Sequence, residues 1–205
     1  MNHRKIFGGV AALLLFASVA QPVSAQRVGR WMFNGQYSTV LGVEETADFA
    51  GDFSFRGVTI DVKRVQSENL ALGVTFGWHV LDEQAVEGTN VFPAGAITGT
   101  RYKYVNSVPI LAIANYYLGS AGTGVRPFIG VGGGTYYIEN RTEVGVFAIE
   151  EDNWHLGALG EAGLYIVPQP GAGAITLSAR LNWGFEADGV ERQYLTFSVG
   201  FSSDN

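Results

Sequence analysis

Long strands with two chemically opposite faces, connections of alternating length and a single N-terminal apolar run predict an all-β chain. The expected architecture is an eight-stranded antiparallel up-and-down transmembrane β-barrel. Residues 174–185 carry the clearest signal. Ile175, Leu177, Ala179, Leu181, Trp183 and Phe185 share one parity, and Thr176, Ser178, Arg180, Asn182 and Gly184 the other. Alternation of this kind belongs to a strand with one apolar and one polar face. About a dozen residues exceeds the usual ~5–6 and approaches the ~9–11 that cross a bilayer when tilted. Residues 194–201 repeat the pattern with Leu195, Phe197 and Val199.

At the N-terminus, His3, Arg4 and Lys5 precede the apolar run 6–20, and Val23-Ser24-Ala25 offers small residues at a cleavage site. Residues 1–25 therefore read as a cleaved signal peptide, with 26–205 as a single barrel domain. The run is shorter than the roughly 20 residues a spanning helix needs. A membrane chain without a second apolar helix satisfies its backbone in lipid by closing a barrel.

Composition agrees. Charged residues make up 16% of the chain, against roughly 25% in soluble domains. The net charge is −6 and grows more negative once Arg4 and Lys5 leave, which disfavours nucleic acid as a partner. With no cysteine, disulfides and thiolate metal sites are excluded.

Strands are expected at 30–42, 53–66, 70–80, 101–118, 125–138, 153–167, 174–186 and 192–202. The connections 67–69, 119–124 and 168–173 are short, with Gly, Pro or Asn turn chemistry. Those at 43–52, 81–100 and 139–152 are longer, and 187–191 is short where the alternation calls for length. Short turns on one rim and long loops on the other mark an outer-membrane barrel. In the second strand Val58, Ile60 and Val62 have one parity, Phe53 and Phe55 the other. A bulge near Arg56-Gly57 reconciles them. The fourth strand is apolar on both parities through 108–114 and leaves its faces open.

The inward parities define a lumenal polar network of Asp61, His79, His155, Glu161, Arg180 and Glu186. Centring the 168–173 hairpin between Pro170 and Gly171 sets Glu161 opposite Arg180, His155 opposite Glu186 and Leu164 opposite Leu177. A buried carboxylate requires a partner, so this network is expected to plug the barrel. Gly130, Gly132 and Gly134 also face inward, leaving room for large neighbours. Gly132-Gly133-Gly134 has no following lysine and sits inside a strand, which argues against a phosphate loop.

The stretches 107–117 (Ser-Val-Pro-Ile-Leu-Ala-Ile-Ala-Asn-Tyr-Tyr) and 125–137 (Val-Arg-Pro-Phe-Ile-Gly-Val-Gly-Gly-Gly-Thr-Tyr-Tyr) resemble a known superfamily. It comprises the small outer-membrane barrels typified by the transmembrane domain of outer membrane protein A and by outer membrane protein W. The resemblance implies a fold rather than an activity. Residues 194–201 are similar to the terminal assembly signal of such proteins, although Ser202–Asn205 follow the last Phe. Likeness to outer membrane protein W implies transport of small or hydrophobic molecules as one alternative, and a lipid-modifying enzyme is another. The lipid A deacylase type needs His-x-Ser, where this chain has His155 and then Gly157.

The favoured expectation is a non-enzymatic outer-membrane protein with an envelope-stabilising or surface-interaction role. It is expected to be a monomer without cofactor, with outer-membrane lipid and lipopolysaccharide as partners. Most acidic residues lie in the long connections, among them Glu44, Glu45, Asp48, Glu143, Glu150 and Glu151. That acidic rim suits divalent cations, although no contiguous calcium-loop motif is present.

Overall fold

The computed structural model describes residues 28–82, 86–92, 95–119, 124–144, 147–168, 173–187 and 189–204. The expected signal peptide and its cleavage site lie outside the described residues. The strands are β1 (Trp31–Val43), β2 (Asp52–Val65), β3 (Leu70–Asp82), β4 (Val86–Phe92) and β5 (Gly95–Tyr117). They continue with β6 (Gly124–Val144), β7 (Phe147–Val167), β8 (Ala174–Ala187) and β9 (Val190–Asp204). One short helix, α1 (Glu45–Ala50), follows β1.

Each strand pairs antiparallel with the next, and β9 returns to β1, so the ring closes. β3 and β4 share one edge of β5: β3 pairs with Tyr104–Tyr116, and β4 with Gly95–Arg101. β4 thus prolongs the column that β3 begins, and the ring has eight strands. Closure removes every edge at the level of the ring, leaving no unpaired backbone there to meet lipid.

The outer face follows the apolar parities. Phe33, Ile60, Leu72, Val74, Phe76, Ile129, Val131, Leu177, Leu181 and Val199 are exposed outward. Trp31 and Tyr116 bound this band at the turn end, and Trp78, Trp154 and Trp183 at the loop end. An uncharged belt between two aromatic girdles is the wall a bilayer requires. β5 resolves its faces, with Val105, Ser107, Leu111, Ile113 and Asn115 buried inward and Ile110 and Tyr116 outward.

The bulge in β2 is present. Its register shifts between Ser54 and Gly57 against β1, and between Asp52 and Arg56 against β3. Phe53, Phe55, Arg56 and Val58 consequently all face outward, while Ser54 is buried.

Three connections differ from expectation. Residues 81–100, expected as a loop, hold the end of β3, all of β4 and the start of β5. Residues 139–152, likewise expected as a loop, form the ends of β6 and β7, paired from Glu139–Asp152 to Val144–Phe147. Residues 139–143 are half-buried and 148–152 exposed on both parities, so the apolar alternation fades although the hydrogen-bond ladder continues. Arg141 holds this ribbon through Glu143 (2.8 Å) and Glu150 (2.5 Å). In 43–52 the chain forms α1, and Gly42 permits its approach: a Cβ there would lie 2.7 Å from the Ala50 carbonyl oxygen.

Candidate functional site

The barrel interior is layered. At the turn end Met32, Val65, Ala71, Tyr117, Phe128, Tyr165 and Val167 form an apolar cluster. Toward the loops Val40, Leu81, Val105, Leu111, Ile113, Tyr136, Ile138, Leu159 and Tyr194 form a second. Small residues make room for these rings. At Gly157 a Cβ would meet the Tyr136 ring at 2.6 Å. Helix α1 covers the loop-end cluster. Its Phe49 ring lies between Lys103 Nζ (4.8 Å) and Arg192 Cζ (5.2 Å), and Thr46 Oγ1 accepts from the Gln193 amide at 2.8 Å.

Between the apolar layers lies a polar belt centred on Arg180, a side chain 2% exposed. Its Nε donates to Glu161 Oε1 at 2.8 Å, its Nη2 to Asp61 Oδ2 at 2.8 Å, and its Nη1 to Thr75 Oγ1 at 3.2 Å. Asp61 Oδ2 also accepts from Asn34 (3.2 Å) and Gln36 (3.1 Å), and Lys63 Nζ lies 3.6 Å away. Asn115 donates to Glu161 Oε2 at 2.7 Å, and Ser178 to Gln36 Oε1 at 2.9 Å. Two buried carboxylates thus face two buried cations. Taking such charges out of water is costly, and mutual pairing with further hydrogen bonds is what offsets it.

Four of the six residues expected in the lumen join this interior directly. Glu161 lies opposite Arg180 and Leu164 opposite Leu177 in the β7–β8 register, and Asp61 reaches Arg180 from across the barrel. His79 is buried nearby, its Nε2 3.0 Å from Thr59 Oγ1 and its Nδ1 3.0 Å from the Tyr194 hydroxyl. His155 is buried as well, but it stands apart from the charges and donates from Nδ1 to the Phe185 carbonyl oxygen at 2.8 Å.

Glu186 is a correction. It is exposed rather than lumenal, because the β7–β8 pairing ends at Gly157–Gly184 and a register shift follows between Gly184 and Ala187. The alternation that would have turned Glu186 inward stops at that shift. Sequence reasoning missed Lys63, Thr75, Asn115, Asn34 and Gln36. Lys63 shares the inward parity of Asp61, and Asn34 and Gln36 alternate with Phe33 and Tyr37 along β1. That parity was the available signal.

The chemistry open to this interior is limited. Ser107 Oγ and His79 both contact the Tyr194 hydroxyl, at 3.0 Å each, so serine, tyrosine and histidine do converge. All three are at most 1% exposed. No group of three or more potential metal ligands occurs among the described residues. Among the described residues no helix is long and apolar enough to cross a membrane.

A closed ring of eight antiparallel strands has counterparts among solved structures. Neisserial surface protein A matches over 85% of this chain and 95% of its own, with 12% identity and a TM-score of 0.51. The fold is that of the small eight-stranded outer-membrane barrels. The N-terminal β-barrel domain of Pseudomonas aeruginosa OprF aligns over 86% of this chain and 99% of its own, at 14% identity and a TM-score of 0.49. No family model and no curated protein matches the chain.

Proposed function

We propose that this chain is an integral, non-enzymatic protein of the bacterial outer membrane that acts through its wall and its loop-end surface. The single observation that carries the reading is the filled interior. Apolar layers lie above and below a belt whose four charges balance. An eight-stranded ring is just wide enough for its own side chains to fill it. The role is then to stabilise the envelope or to present the loop-end ribbons to partners, with outer-membrane lipid and lipopolysaccharide against the wall.

Transport of small or hydrophobic molecules is the competing reading, and it needs the belt to open. Reconstitution into planar bilayers, paired with uptake of a hydrophobic solute into vesicles, separates the two. The reading predicts the conductance and uptake of protein-free membranes. Steady channel currents or protein-dependent uptake would replace it with transport. Incubation with lipopolysaccharide should leave lipid masses unchanged, since the Ser107–Tyr194–His79 contact is enclosed.

A further inference from the structure

One cleft on the outer wall departs from its apolar surroundings. It has a volume of about 470 Å³ and is lined by Tyr37, Arg56, Val58, Trp78, Tyr104 and Asn106, with Gly57 and Val80 completing the wall. That volume lies within the ~300–1,000 Å³ range of small-molecule sites. Arg56 pairs laterally with Val80, and Val80 with Asn106, so the guanidinium and the amide share one row of the sheet. The neighbouring row toward the turn end holds Val58 opposite Trp78. Arg56 therefore sits one step beyond the loop-end aromatic girdle, at the depth where a lipid changes from acyl chain to headgroup.

The polar groups here are only partly engaged. The Arg56 side chain is 60% exposed, and its Nη2 pairs with Asp82. Among the described residues its Nε and Nη1 have no hydrogen-bond partner, and neither has the Asn106 side-chain amide. The β2 bulge adds a further element. By shifting parity it places Phe53 and Phe55, edge to face at 5.1 Å, on the same outer surface as Arg56. Bulges re-aim side chains in this way at functional positions. A planar fork with two free donors, facing outward above an apolar wall, matches a phosphate oxygen pair.

We propose that this cleft binds the phosphate of an outer-leaflet lipid, with Arg56 and Asn106 as donors and the acyl chains lying on Val58 and Trp78. The site rests on the outer-membrane reading above and adds a defined lipid contact to it. Asp82 orients the guanidinium from the loop side. It also weakens the site by its own charge.

The test offers equal amounts of bisphosphorylated lipid A and its enzymatically dephosphorylated product to the folded barrel in neutral-detergent micelles. Native mass spectrometry reads the lipid retained, and heat-modifiable gel migration verifies folding. A charge-assisted contact exchanged for solvent is worth on the order of tenfold in affinity. The parent should retain the phosphorylated lipid with about that preference. Arg56→Gln should abolish the preference, whereas Arg64→Gln, at the turn end of the same strand, should leave it intact. Asp82→Asn should keep or raise it.

Equal retention of the two lipids by the parent would overturn the site, as would a preference that survives Arg56→Gln. A loss with Arg64→Gln equal to that with Arg56→Gln would reduce the effect to general charge and overturn the site too. So would a loss with Asp82→Asn, which would leave only a structural ion pair. A parent chain that fails to fold in micelles at all would instead overturn the membrane reading on which the site rests.

Discussion

Arg180 ties together strands that the chain separates widely. From β8 it reaches Glu161 on the neighbouring β7, and Asp61 on β2 and Thr75 on β3 across the lumen. Arg180→Ala leaves Glu161 without its cation and Asp61 with Lys63 alone, so unfolding should become easier by about 3–5 kcal/mol. Adding Glu161→Gln should recover part of that loss and no more, because Asp61 remains underpaired. Denaturant titration of the three variants in micelles checks both statements. The Glu161 contact was legible in the sequence because a short hairpin fixes its register, and turn chemistry marks where the hairpin folds. The Asp61 contact, 119 residues away, was not. Which side chains meet across a lumen depends on the stagger with which the ring closes, and no local pattern encodes it.

At the scale of elements, all eight ring strands were legible, and alternation assigned faces where an apolar wall contrasts with a packed interior. The fourth, apolar on both parities through 108–114, left its faces open. Alternation failed where that contrast ends. β4 and the outer ends of β5, β6 and β7 continue the hydrogen-bond ladder where the sequence no longer alternates. Helix α1 occupies a connection that was read only as a loop. Its formation depends on Gly42 and on the Phe49 cluster rather than on any strong helical signal in six residues. The connections still fix an orientation. A cysteine at Asp48, on α1, should react with an impermeant reagent on intact cells, and one at Glu68, in the 67–69 turn, should not. The opposite pattern would invert the barrel. Val146 and Ala121, which offer the same comparison, lie outside the described residues.

For the molecule as a whole, charge is segregated. The wall between the girdles is uncharged, the central belt pairs two carboxylates with two cations, and most carboxylates of the sequence lie toward the loop end. Carboxylate oxygens suit hard divalent cations, and since the rim gathers no group of three potential ligands among the described residues, any such binding is diffuse. Cations bound to the folded rim would stabilise the barrel by mass action. Melting in calcium should then exceed melting in a monovalent salt of equal ionic strength, which removes simple screening. Identical melting curves would leave a solvated rim and nothing more.

The central claim is that the apolar parity meets lipid while the other parity packs into a dry interior. Methyl NMR of the barrel in lipid nanodiscs reads both faces at once when a lipid-soluble and a water-soluble paramagnetic agent are added separately. Leu177, Leu181 and Val199 are exposed on the outer face, whereas Leu111, Leu159 and Thr196 are buried inside. The lipid-soluble agent should broaden the first three, and neither agent should reach the last three. Broadening of Leu159 and Thr196 by the water-soluble agent would mean a wet lumen. Broadening of Leu177 and Leu181 by that same agent would mean a barrel that does not sit in a membrane.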